Sequence, residues 1–231
     1  MARKDLTVIY YTSNREKPEF EARIRKTLWN TIKPLRLPLI SVSHKPIDFG
    51  ENICVGDVGV SSQNVYRQMQ VGALAAKTQF VCCAEADYIY PREYFLYRPD
   101  SLTMFSIAMP LWVLFAQTGK SRVFALKPRG SEAAMVVGRE TLINRVELVL
   151  KDVGMWGNTQ TDGKSMPYLI DTRRTFDIPG VERNTFTVPT PLITFKTDEQ
   201  MHRRTPHDLQ TKTRELAPYG NVHDLIKRYL G

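Results

Sequence analysis

Cysteine is scarce in this sequence: there are three in 231 residues, and two of them, Cys82 and Cys83, are adjacent inside an apolar run. Three thiols make neither a disulfide framework nor a zinc set, so the adjacent pair reads as buried and reduced. Long apolar stretches are missing too. The longest, Met109 to Ala116 ("MPLWVLFA"), falls well short of the roughly 20 residues that cross a bilayer. The first residues, "MARKDLTVIYYT", start with charges and run directly into a strand-like segment, without the apolar core of a signal peptide. The expectation is a soluble cytoplasmic protein. Acid is also in short supply, with 24 Asp and Glu against 32 Lys and Arg, a net charge of +8 and a pI near 9.4. That excess favours anionic partners such as nucleic acid or phosphorylated small molecules. With 42% hydrophobic residues, the chain has enough apolar material for one substantial core, and one domain over residues 1–231 is expected.

The first half alternates short apolar runs with helical patterns, the signature of βαβ units and a mostly parallel sheet. Leu6 to Tyr11 reads as a β-branched strand that ends in the turn-like Thr12-Ser13-Asn14. Pro18 to Thr31 reads as a helix, because Phe20, Ile24 and Leu28 recur at four-residue spacing. Leu37 to Ser43 is the next strand, followed by a glycine-punctuated loop from Gly50 to Gly59. Ser61-Ser62 caps a helix running to about Lys77, with Val65, Met69, Gly72, Ala73 and Ala76 on its apolar face and Asn64, Arg67 and Gln68 on others. Phe80 to Ala84 is the following strand.

Ligands of open α/β sheets bind beyond the carboxyl ends of the strands, here Tyr11-Thr12, Ser43-His44 and Glu85-Ala86-Asp87. Two acids at the mouth of such a crevice repel each other unless something positive lies between them. A hard divalent cation held by one or two carboxylates and substrate phosphates satisfies that need. An E-x-D triplet is a weak motif, and its spacing equally allows a strand-end turn with both acids in water.

Further residues extend the pattern. They are Tyr10-Tyr11-Thr12 with Asn14, Ser43 with Lys45-Pro46, Gly50 with Asn52, Asn64 with Tyr66-Arg67-Gln68, and Glu85-Ala86-Asp87 with Tyr90-Pro91. Over residues 6–95 this set resembles glycosyltransferases of the GT-A fold, especially small phage-type enzymes that glycosylate modified DNA bases. The resemblance implies an α/β chain forming a single GT-A-like domain, a Rossmann-like, mostly parallel sheet with flanking helices. Residues 6–95 would be its nucleotide-sugar half and residues 96–231 its acceptor half. It also implies a nucleotide-diphosphate sugar, a UDP-sugar in the first instance, and Mn2+ or Mg2+ on the acidic triplet. Asp87 would be the direct ligand. Glu85, standing where the usual first Asp is found, would act directly, through water or on donor hydroxyls. Tyr11, Thr12 and Asn14 would hold base and ribose, Ser43, His44 and Lys45 would meet the nucleotide, and Arg67 would reach a phosphate or donor hydroxyl. Asn64, Gln68 and Ala86 complete the implied donor site. The implied acceptor is a hydroxymethylated pyrimidine of DNA, as in bacteriophage DNA hypermodification.

Beyond residue 95 the pattern thins. Ala133 to Val137 reads as a strand, followed by a helix with Leu142, Val146, Val149 and Leu150 inside. The Gly-rich, polar stretch from Gly154 to Pro167 suits an acceptor wall. In inverting enzymes of this fold a carboxylate from about this region takes the acceptor proton, and Asp162 and Asp171 are the candidates. The resemblance also implies a further metal or phosphate contact, often a histidine, from a C-terminal segment, and a strand ending at Phe195-Lys196 would carry His202 back across the donor site. Two rivals remain at this stage: an enzyme of the same fold acting on a glycan or small acceptor, and a catalytically silent nucleic-acid-binding α/β protein.

Overall fold

A computed structural model of the chain describes residues 5–152, 154–157, 182–200 and 205–231. The first strand, β1 (Leu6–Thr12), is β-branched and aromatic and is buried along its whole length, as a strand covered on both faces should be. Helix α1 (Pro18–Ile32) starts with proline in its first turn and buries Phe20, Ile24, Leu28 and Ile32. It leads to β2 (Leu39–Ser43) and β3 (Glu51–Cys54). Helix α2 (Ser62–Ala75) starts at Ser61, whose side chain accepts from the Asn64 amide, and leads to β4 (Phe80–Glu85). These four strands run parallel in the order β3-β2-β1-β4.

The second half is largely antiparallel. It comprises β5 (Tyr88–Ile89), α3 (Arg92–Leu96), β6 (Met104–Phe115), β7 (Phe124–Lys127), β8 (Met135–Gly138), α4 (Arg139–Leu150) and β9 (Glu182–Lys196). After these come β10 (Lys212–Thr213), the small β11–β12 pair (Glu215–Leu216 and Gly220–Asn221) and α5 (Val222–Leu230). The main sheet continues past β4 through β8, β6 and β7 to β10 at its edge, while β9 runs parallel to β6 and also pairs antiparallel with β5. The sheet is therefore mixed, with helices on its faces, and its consecutive parallel strands lie in the N-terminal half. Where Pro110 sits within β6 the register with β9 slips between Met109 and Leu111, since a proline has no amide to give the ladder.

The core falls into layers on either face of the sheet. Leu28 and Ile32 of α1 pack with Leu6, Val8 and Tyr10, while Met69 and Ala73 of α2 and Leu142 and Val146 of α4 pack with Ile9, Val81 and Cys83 on the other. Cys82 and Cys83 are both fully buried, and burial pushes both thiols up. One strand departs from expectation. β3 lies inside the stretch read as a loop because it is a short edge strand with no fully buried residue and no apolar run; the Asn52 amide holds it by donating to Ser41 Oγ and Ser43 Oγ, both at 2.9 Å. No helix of the described residues is long and apolar enough to cross a membrane.

Candidate active site

The chain leaves β1 for β2 on one side and later returns to β4 on the other. The order therefore reverses between β1 and β4, and their carboxyl ends form the switch point where ligands of such sheets bind. Gln68 of α2 fixes this place from below. Its buried amide donates to Thr12 O at 3.0 Å and Val42 O at 3.2 Å, joining the ends of β1 and β2. The turn after β1 is shaped by Asn14, which adopts φ 53°, a left-handed conformation that Asn tolerates better than most residues. Its amide donates to Thr12 Oγ1 at 2.9 Å, and its Oδ1 accepts from the Lys45 amide at 2.8 Å, bridging to the β2 end. Ser43 donates to Lys45 O at 2.6 Å.

The acids stand at the end of β4. Tyr90 positions that end: its hydroxyl accepts from the Glu85 amide at 2.9 Å and donates to Ala133 O at 2.8 Å. Tyr88, Tyr90 and Tyr94 stack in series behind it, which accounts for the tyrosine-rich stretch. Asp87 Oδ2 accepts from Thr194 Oγ1 at 3.2 Å and from the Gln200 amide, whereas Asp87 Oδ1 is buried with no hydrogen-bond partner. A third acid, Glu16, faces this pair from the loop after β1 and accepts from Thr197 Oγ1 at 3.1 Å. The end of β9 thus offers one threonine to Asp87 and the residue just beyond it offers another to Glu16.

Burial pushes Glu85 up to about 7, with Glu16 and Glu132 adding repulsion and Lys127 and Lys196 pulling it down. Asp87 is raised well above the usual carboxylate range, first by burial and then by Glu85. Glu16 rises to about 7 through burial and the nearby Asp87. Three carboxyls that resist ionisation, each within the field of another, favour an added positive charge, although among the described residues no group of three or more acids, histidines or cysteines is close enough together to hold a metal ion.

The remaining sequence-derived candidates divide. His44 is buried at the β2 end, its Nδ1 lies 3.8 Å from Asp57 Oδ1, and its Nε2 has no partner. Burial lowers its pKa and favours the neutral ring. Lys45 is exposed at the rim. Tyr11 and Ala86 are core residues, 2% and 5% exposed. Asn64 is spent on backbone: its amide donates to Val58 O, Gly59 O and Gly157 O, and its Oδ1 accepts from the Gly157 amide at 2.7 Å. Arg67 corrects an expectation. Its guanidinium reaches no donor crevice but bridges α2 to α4, binding Gln70 Oε1 at 2.7 Å, Glu147 Oε2 at 2.8 Å and Leu150 O at 3.0 Å. The physical reason is that α4 covers this side of α2, so the polar residues off the apolar stripe are buried as well. Asp162, Asp171 and His202 lie outside the described residues.

Sequence reasoning missed Glu16, Lys127, Thr194, Lys196, Thr197 and Gln200. Glu16 carried a faint signal, being the first acid after the β1 turn. The others come to the crevice only through the pairing of β6 with β7 and β9 and of β5 with β9, contacts between segments far apart in the chain.

No protein-family model matches the chain, and no curated protein does. Among solved structures, it is similar to a glycosyltransferase involved in glycosylation of the major capsid of PBCV-1, at 11% identity and a TM-score of 0.45, covering 80% of this chain and 83% of that one. It is similar also to GalNAc-T7, solved with UDP, GalNAc and Mn2+, at 9% identity and a TM-score of 0.49 over 96% of this chain; the chain spans about half of that protein, 48%. A third likeness is to the catalytic domain of Drosophila beta1,4galactosyltransferase 7 in complex with xylobiose, at 12% identity and a TM-score of 0.39, covering 96% and 79%. All three are distant likenesses in chain path.

Proposed function

We propose that the protein is a metal-dependent glycosyltransferase of GT-A type, which moves a sugar from a nucleotide-diphosphate sugar, in the first instance a UDP-sugar, to an acceptor hydroxyl. The observation that carries this reading is the unpartnered, buried Oδ1 of Asp87 at the β1/β4 switch point, within the field of Lys196 and beside Glu85, on which both Lys127 and Lys196 act. The donor set suits a hard cation: carboxylate oxygens, one of them unsatisfied, with room in the coordination shell for phosphate and water. Asp87 would hold Mn2+ or Mg2+ directly, with Glu85 beside it and His202 as the further ligand the resemblance implies. When bound, the ion supplies Lewis-acid stabilisation of the charge left on the diphosphate.

The chain's own groups do the rest. Lys127 and Lys196 add fixed positive charge where the leaving group's charge develops. Thr12, Asn14 and Lys45 would line the nucleotide end, with the buried, unpartnered Nε2 of the neutral His44 ring beside them as a further polar group for the ligand. Gln68 keeps the β1 and β2 ends in register beneath them. A carboxylate, Asp162 first and Asp171 second, takes the acceptor proton.

The acceptor we put first is a hydroxymethylated pyrimidine of DNA, supported by the +8 charge and by the sequence resemblance over residues 6–95. Incubating hydroxymethylated DNA with a panel of sugar nucleotides and Mn2+, then analysing the nucleosides by mass spectrometry, tests it. The expected product is a nucleoside heavier by one glycosyl unit. Unmodified nucleosides with every donor, alongside transfer to an oligosaccharide panel, would move the acceptor to a glycan.

A further inference from the structure

One edge of the sheet carries a concentration of charge that the donor crevice does not use. Residues 116–130, which form the turn and β7 after β6, hold Lys120, Arg122, Lys127 and Arg129 and no acid; residues 209–214, which include β10, hold Lys212 and Arg214 and again no acid. The two segments are hydrogen-bonded neighbours at the edge of the sheet, with Lys212 opposite Ala125 and Thr213 opposite Phe124. Far apart in sequence, the two sets of cations therefore share one ridge. All but Lys127 are exposed.

The arrangement is directional. Side chains alternate along a strand, and cross-strand partners share a face. Lys127 lies two residues from Ala125, and Lys212 is paired with Ala125, so Lys127 and Lys212 project from the same face, and Arg214 follows in the bend just after β10. The inner end of the ridge is Lys127, whose charge acts on the Glu85 carboxyl; the outer end is the β6–β7 turn with Lys120 and Arg122. A strand rises about 3.3 Å per residue, close to the roughly 3.4 Å axial spacing of phosphates along one strand of DNA. Nearby acids are few and partly engaged: Asp198 accepts from Thr118, Asp208 caps the turn at Thr205, and Glu215 lies one residue beyond Arg214. Edge lysines also discourage strand-to-strand aggregation, but one or two would serve for that, and here five exposed cations gather with no acid among them.

We propose that the β7–β10 edge is a docking track for the sugar-phosphate backbone of DNA, running from Lys120 and Arg122 past Arg214 and Lys212 to Lys127, whose charge acts on the Glu85 carboxyl, with Arg129 just beyond. This rests on the acceptor reading above and adds the surface that would deliver it.

The test is binding of a fluorescein-labelled DNA duplex, followed by anisotropy across a salt series, for three forms of the full chain. They are the wild type, a ridge variant (Lys120→Gln, Arg122→Gln, Lys212→Gln, Arg214→Gln) and a matched four-charge variant on the α1–α5 side (Lys26→Gln, Lys33→Gln, Lys227→Gln, Arg228→Gln). If all four ridge cations meet phosphates, the slope of log affinity against log salt becomes shallower by roughly 0.9 per lost contact, about 3 to 4 in all, in the ridge variant alone. Equal losses in both variants, or no loss in either, would overturn the track. Displacement of the duplex by alginate at a lower charge concentration than by unlabelled duplex would overturn it in favour of an acidic glycan. The shift in melting temperature caused by nucleotide diphosphate and Mn2+ is measured on the same three proteins. A ridge effect on DNA with no nucleotide response would keep the track and sink the enzyme reading, and the reverse pattern would do the opposite.

Discussion

Glu16 shows how much of the crevice is built by single side chains. It sits near Asp87, accepts from Thr197, and has its carboxyl raised from the ordinary 4.5 to about 7, chiefly by burial and next by Asp87. An acid whose folded-state pKa is raised keeps its proton in the native state after the unfolded chain has released it. The native state then binds more protons, so the stability this contributes is complete below pH 4.5 and is lost as pH rises through 7. Urea unfolding without metal should therefore show falling stability from pH 5 to pH 8, and Glu16→Gln should flatten that fall. A variant with the wild-type slope would mean that Glu16 is solvated. Glu85, also raised to about 7, acts in the same direction and leaves a residual slope in Glu16→Gln.

Helix α2 does several jobs on different faces, and the consequences are separable. Gly72 lets it lie close on β1: a Cβ there would come 2.4 Å from Ile9 Cγ2, and Ile9 is fully buried in a central strand. Gly72→Ala gains roughly 1 kcal/mol of helix propensity but overpacks at a cost of about 1–3 kcal/mol. The clash should win, seen as a lower urea midpoint. Gln68 and Arg67 are neighbours with different duties. Gln68→Leu strands the Thr12 and Val42 carbonyls under the crevice and should weaken both the fold, by about 1–3 kcal/mol, and nucleotide binding. Arg67→Met loosens the α2–α4 contact by a similar amount. It should leave the nucleotide-induced shift in melting temperature intact; loss of that shift would return Arg67 to the donor site. The limits of sequence reading are visible in this helix. The cap at Ser61 and the stripe of Met69, Gly72 and Ala73 were legible from spacing, which is local. That the opposite side would be covered by α4, turning Arg67 inward, depends on a segment some 80 residues away.

Across the whole molecule the same division recurs. The N-terminal half was legible because β1, α1, β2, α2 and β4 alternate as short apolar strands and amphipathic helices along the chain, and such βαβ units fill an open parallel sheet outward from a switch point. The triplet Glu85-Ala86-Asp87 was therefore placed at the crevice by topology alone. β3 was missed because it is four residues long, opens on Glu51 and Asn52, and has no fully buried residue. The C-terminal half resisted reading because β6 pairs with β7, β8 and β9, so one strand's partners lie up to about 80 residues away. The lysines that balance the acids, Lys127 and Lys196, arrive by those pairings. The central claim is that the acids at the β1/β4 switch point bind a cation together with a nucleotide diphosphate. It is tested most directly by the melting temperature of the wild type and Asp87→Ala, each titrated with UDP and other nucleotide diphosphates, with and without Mn2+. At ligand near 100 times its dissociation constant, binding adds about 2.7 kcal/mol, which for a chain of this size is a rise of roughly 5–10 °C. The account expects that rise in the wild type with Mn2+ and a nucleotide, and its loss in Asp87→Ala; no response to any nucleotide, or an equal response in the variant, would contradict it.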